Sequence, residues 1–225
     1  TKYDVNYWHS LKYEFNGLSG YITSSGGVQD AEEKFRQASI AFVIPESFYE
    51  KIPNSKSGIC TITCRTYSSV YSSTILGTET TCTFTVTADQ SKSAPTSGIN
   101  LVDVNPVTVA LTGNSSVLIR YRSTAKCTVI AVPRNHASIT SITINGKRTE
   151  FPTTNGSGVS RSVTLQFTNV EYTSFAYAVE DSRGYITSGT ANTMICAYVP
   201  LTCNVKISRP SPTGSVMTIQ GGGAF

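Results

Sequence analysis

GICTITCRTY at residues 58–67 alternates Ile59, Thr61, Thr63 and Arg65 with Cys60, Ile62, Cys64 and Thr66. TTCTFTVT at residues 80–87 repeats the pattern with Cys82, Phe84 and Val86 on one side. A period of two carried by β-branched residues describes strands laid half into a core. The Ser-rich stretch 68–74 between them predicts an antiparallel hairpin. Working outward, strands are expected at 11–15 and 19–23 around Asn16-Gly17, and at 39–44, where Pro45 ends the run. Residues 30–37 read as a charged, solvated excursion. Phe48 and Ile52, four apart, predict a short crossover helix at 46–52 stopped by Pro53. Downstream, strands are expected at 98–104, 107–112, 116–121, 127–132, 138–144, 161–168, 173–180, 185–190, 194–198 and 203–208. Asn145-Gly146 predicts a type I′ turn, because both residues tolerate positive φ, and 181–184 predicts a second tight turn.

Short strands spaced near ten residues and broken by turn residues predict an all-β fold of tandem immunoglobulin-like β-sandwich domains. A chain of 225 residues suits two modules of about 100 residues each. The first is expected at 1–88, including an N-terminal arm at 1–10 whose Tyr3, Tyr7 and Trp8 would pack on a neighbour. Residues 89–97, rich in Ser, Asp, Lys and Pro, read as the linker. The second module is expected at 98–192. Residues 193–225 read as the start of a truncated third β module, with Gly221–Gly223 a flexible tail. Thr1 is followed by no charged-then-apolar leader, so the chain is expected to be processed or cut from a longer polypeptide.

Composition agrees. Charged residues make up 14% of the chain, against an average of about 25%, while 31 Thr and 29 Ser supply a hydroxyl-rich surface that also disfavours helix interiors. A formal charge of +4 with scattered Lys and Arg argues against a nucleic-acid partner. No apolar run reaches the roughly 20 residues of a membrane-spanning helix, so no membrane insertion is expected.

The search for chemistry yields no catalytic, cofactor-binding or metal residues, and the chain is expected not to be an enzyme. His9 and His136, the two histidines, sit in polar or turn-like surroundings and read as surface residues. Cys60 and Cys64 share a strand face but stand about 13 Å apart, too far for a disulfide. If the hairpin turns at Tyr71, Cys60 faces Cys82. Cys60, Cys64, Cys82, Cys127, Cys196 and Cys203 read mostly as reduced, small apolar strand residues. Cys60-x3-Cys64 is only half of a zinc motif. Gly221–Gly223 lacks the lysine of a phosphate loop, and the sequons at Asn114 and Asn155 arise readily in a chain so rich in Ser and Thr. Tyr67, Tyr71, Tyr121 and Tyr172 are candidates for a sugar-binding surface or for ordinary sheet packing.

IPNSKSGICTITCRTYSS (52–69) and ILGTETTCTFTVTA (75–88) resemble a module of minor structural proteins of unknown function from siphophages and prophages of Gram-positive bacteria. HSLKYEFNGLSGYI (9–22), AVEDSRGYITSGTA (178–191) and SRPSPTGSVMTIQGGGAF (208–225) resemble the same family. The resemblance implies a non-enzymatic virion component of the tail tip or fibre, built of immunoglobulin-like modules and assembled in the host cytoplasm. It implies other virion tail proteins as partners, a homo-oligomer such as a trimer, and host cell-surface polysaccharide or protein bound through this chain or a distal domain. It implies no cofactor. The alternatives are a carbohydrate-binding module and a bacterial surface adhesin.

Overall fold

The computed structural model describes residues 4–153, 158–199, 202–208, 213–214 and 218–224. In chain order the elements are β1 (Trp8–Phe15), β2 (Leu18–Ile22), β3 (Val28–Gln29), α1 (Ser47–Glu50), β4 (Ser57–Tyr67), β5 (Thr80–Thr87), α2 (Gln90–Ser93), β6 (Thr96–Asp103) and α3 (Pro106–Thr112). There follow β7 (Val117–Ile119), β8 (Thr124–Val132), β9 (Ile139–Ile144), β10 (Lys147–Glu150), β11 (Arg161–Thr168), β12 (Ser174–Asp181), β13 (Ile186–Asn192), β14 (Met194–Cys196), β15 (Thr202–Ser208) and β16 (Thr218–Ala224). The chain is all-β. Its sheets run β3-β2-β1-β4-β5, β10-β9-β12-β13 and β11-β8-β6, with a parallel β14–β7 pair and a β15–β16 hairpin. Two compact units gather the described residues of 1–100, 128–164 and 175–191, and of 101–127, 165–174 and 192–225.

Both Asn-Gly pairs form the expected turns. Asn16 and Gly17 have φ of 41° and 84°, and Asn145 and Gly146 have 44° and 78°, the doubly positive pattern that matches strand twist. The central hairpin closes around Tyr71, since Tyr67 bridges Ile75. Residues 76–79 then absorb a slip of two: Cys64 pairs with Thr80 where unbroken register would give residue 78. Cys60 therefore faces Phe84, and Cys82 faces Ile62. Cys60, Cys64, Cys82, Cys127 and Cys196 are free thiols.

Four expectations are corrected. Residues 107–112, β-prone by composition, are helix α3, because Asn105 caps it by accepting from Val107 N at 3.0 Å, Pro106 presets its first turn, and Gly113 ends it at φ 65°. Residues 39–44 form no ladder; Ile40, Phe42 and Ile44 pack on the core. The 30–37 segment is docked: Phe35 is buried and exchanges two backbone hydrogen bonds with His9, both 2.9 Å. In the same segment Glu32 accepts from Ser10 Oγ and Tyr67 Oη, each at 2.6 Å. Gly221–Gly223 lie in β16, paired with Val205, Asn204 and Cys203. Apart from these, residues Gln90–Ser93 form α2, capped by Asp89.

In the first unit, the β1–β5 sheet packs Tyr13, Phe15, Cys60, Ile62 and Val86 against Phe48, Tyr49 and Ile52. Phe48 is fully buried, stacked on Phe15 at 4.7 Å and 7° and meeting Tyr13 at 5.2 Å. Gly58 permits this approach, because a Cβ there would stand 2.8 Å from the Phe15 ring.

Beneath the same layer lies a buried cation. Arg183 and Asp181 have side chains wholly shielded from solvent, 3.8 Å apart. The Arg183 guanidinium donates to Ile52 O (3.0 Å), Tyr49 O (2.8 Å), Arg134 O (3.0 Å) and Asn135 O. Asp181 Oδ1 accepts from the amides of Arg183 (3.0 Å) and Tyr185 (2.9 Å), shaping the turn. Burial pushes the Asp181 carboxyl above the ordinary aspartate value and lowers Arg183.

The second unit is organised by a buried anion. Asp103 Oδ2 accepts from Thr108 Oγ1 (2.5 Å) and Ser123 Oγ (2.6 Å), while Oδ1 accepts from the amides of Asn105 (3.0 Å) and Thr124 (3.2 Å). Burial raises its pKa, but the four donors together outweigh burial and hold the carboxyl below the ordinary range.

Phe48→Ala should destabilise the first unit by about 4 kcal/mol, read as a lower denaturant midpoint. Because the folded pKa of Asp103 is depressed, its stabilisation is present above the ordinary aspartate pKa of about 3.9 and fades as pH falls below that. The melting-temperature gap between the native chain and Asp103→Asn should therefore narrow from pH 6 to pH 2.5.

Candidate functional site

His9 and the buried thiols are taken up in the packing of the fold. His9 lines a small hollow of about 190 Å³ with Phe35, Ile40 and Cys64, and its Nδ1 lies 3.1 Å from Thr66 Oγ1. His136 stands in a tight loop at φ 60°, next to Asn135 at φ 47°. Burial pushes the Cys60, Cys64 and Cys127 thiols above the ordinary value, which keeps them protonated and poorly nucleophilic. Among the described residues no group of His, Cys, Asp and Glu gathers with metal-ligand geometry. Asn114 uses its Oδ1 to accept from Ser116 N at 2.8 Å, and the Asn155 sequon lies outside the described residues.

The tyrosines named from sequence divide between the two units. Tyr67 is buried, and its hydroxyl is committed to Glu32. Tyr71 is 94% exposed in the first unit, whereas Tyr121 and Tyr172 belong to the second.

The arrangement with binding geometry is a cleft of about 440 Å³ in the second unit. Its volume lies within the range of roughly 300–1,000 Å³ common for ligand pockets. One wall is α3, which shows Val107 (65% exposed) and Leu111 (72%) one turn apart. The other is the 119–123 turn, closed by Ser123 N to Ile119 O at 3.0 Å and by Ile119 N to Ser123 Oγ at 2.7 Å. Asp103 holds both walls, Thr108 of α3 and Ser123 of the turn, and Asn105 adds a bond from its Nδ2 to Arg122 O at 2.8 Å. The cleft is thereby preorganised.

At its mouth the Arg122 guanidinium lies 4.4 Å over the Tyr198 ring and donates to Tyr198 Oη at 3.1 Å. Asn169, at φ 54°, adds an exposed carboxamide. A cation, amide groups, an aromatic ring and an apolar wall can together grip a polar ligand that has an apolar face. The site is not legible in sequence, because its residues come from 105, 122, 169 and 198 and because the β-prone composition of 107–112 hides its helix.

No curated protein matches the chain significantly. Residues 1–221, nearly its whole length, match a family described as siphovirus protein of unknown function, DUF859. This makes the chain a phage-associated protein, and it belongs to that siphovirus family.

Proposed function

We propose that the chain is a non-enzymatic structural component of a siphophage tail, at the tip or fibre, supporting attachment to the host cell. The family match across residues 1–221 carries this reading. The way reactive groups are spent supports it: Arg183 and Asp103 hold backbone, and burial raises the Cys60, Cys64 and Cys127 thiols. On this reading the β modules, taken as immunoglobulin-like, act as spacers in the virion, alongside other tail proteins and in a homo-oligomer. Host polysaccharide or protein is bound by this chain or by a distal domain, with many weak contacts summed through multivalency.

A second reading, a carbohydrate-binding module, is favoured by the Arg122–Tyr198 pair beside α3.

Antibody to the chain should decorate the tails of purified virions in negative stain; bare particles from a lysate that contains the protein would overturn the structural reading. On a glycan array the carbohydrate reading expects binding by the 225-residue chain, lost in Arg122→Ala with no change in melting, since Arg122 is exposed. A blank array removes it.

A further inference from the structure

The polar groups of the cleft beside α3 are unequally committed. Asn105 spends its carboxamide within the protein, accepting from Val107 N at 3.0 Å and donating to Arg122 O at 2.8 Å. The Thr108 hydroxyl donates to Asp103. What remains for a ligand is the Arg122 guanidinium and the exposed Asn169 carboxamide. Among the described lining residues Arg122 alone is charged, and no described carboxylate pairs with it. A guanidinium has five N–H donors in a planar fork that matches an oxyanion, and here one of them goes to Tyr198 Oη.

That cation is held in place from three sides. Arg122 N donates to Ile119 O at 3.1 Å, its carbonyl accepts from Asn105, and its guanidinium rests over the Tyr198 ring. Tyr121 N donates to Val170 O at 2.8 Å, which ties the turn bearing Arg122 to the stretch bearing Asn169. The charge of the surrounding unit agrees. Its described residues hold Arg120, Arg122, Lys126 and Lys206 against Asp103 and Glu171, and Asp103 is buried with four donors on its oxygens. A surface of this balance draws anions toward it. The free groups are chiefly donors, which suits a ligand rich in acceptor oxygens; a peptide backbone brings a donor for nearly every acceptor.

We propose that the cleft takes an acidic saccharide, its carboxylate or phosphate oxyanion gripped by the Arg122 fork and an apolar substituent, such as a methyl or acetyl group, set against Val107 and Leu111. The inference rests on the carbohydrate reading of this cleft and adds the charge of the sugar to it.

The test applies the intact chain to an array that carries uronate-containing glycans, phosphorylated glycans, a neutral counterpart of each, and polyglutamate as an acidic chain without sugar. Acidic glycans should bind at least about tenfold more strongly than their neutral counterparts, and the two acidic arms tell carboxylate from phosphate. The preference should shrink as salt rises from about 50 to 300 mM. Arg122→Gln should abolish it. Asn169→Asp, which sets a negative charge at the mouth and keeps a residue type tolerant of positive φ, should weaken it. Both positions are exposed, so both variants should melt like the native chain. Equal binding of acidic and neutral glycans, or a preference that survives Arg122→Gln, would overturn the inference and leave the carbohydrate reading standing. Polyglutamate bound as well as the acidic glycans would overturn it too, since charge without sugar would then suffice. A blank array removes both readings.

Discussion

A guanidinium withdrawn from water must take its acceptors with it, because an ionised group left unpaired in a low-dielectric interior costs several kcal/mol. Arg183 meets that demand with four backbone carbonyls, from Tyr49, Ile52, Arg134 and Asn135, beside the Asp181 carboxylate at 3.8 Å. Each acceptor must be in place for the charge to be tolerated, so the end of α1, the 134–135 loop and the 181–185 turn are fixed together. Neighbouring bonds repeat the tie: Ser182 Oγ donates to Pro53 O at 2.6 Å and Tyr185 Oη to Ala88 O at 2.6 Å. The aromatic stack around Phe48 rests on α1, and so on this constraint.

The second unit solves the converse problem. Its organising charge is negative, and it gathers donors from α3, the 119–123 turn and the start of β8. In both units a buried ion defines where loops go. Loops tied to buried ions are held in place, and the cleft beside α3 inherits its rigidity from the Asp103 carboxylate.

Period-two alternation and Asn-Gly turns were readable from local sequence, because strand faces and positive φ are set within a few residues. β9, β11 and the turns at Asn16 and Asn145 fall within a residue or two of expectation. Where capping competes with propensity, the local signal misleads: VTVALT is rich in β-branched residues, yet Asn105, Pro106 and Gly113 make it helical. The Cys60–Cys82 register failed because residues 76–79 hold an irregularity that no periodicity encodes. Least legible was Arg183. The turn it sits in was expected, but nothing local distinguishes a solvated turn arginine from one buried against carbonyls more than a hundred residues away. The Arg122–Tyr198 pair was hidden for the same reason of sequence distance.

That distance also bears on how the protein is made. Arg183 reaches back 134 positions to Tyr49 and 131 to Ile52. A ribosome working at about 5–20 residues per second completes β5 well before it delivers Arg183. For that interval, on the order of 5–20 seconds, the sheet stands without its latch, and the carbonyls of α1 face water. The exposed threonine hydroxyls of β5 keep a waiting sheet hydrated in this window, where a more apolar strand would stick. The protein's first long-lived state is therefore an unfinished one, and its sequence has to be soluble in that state as well as in the last.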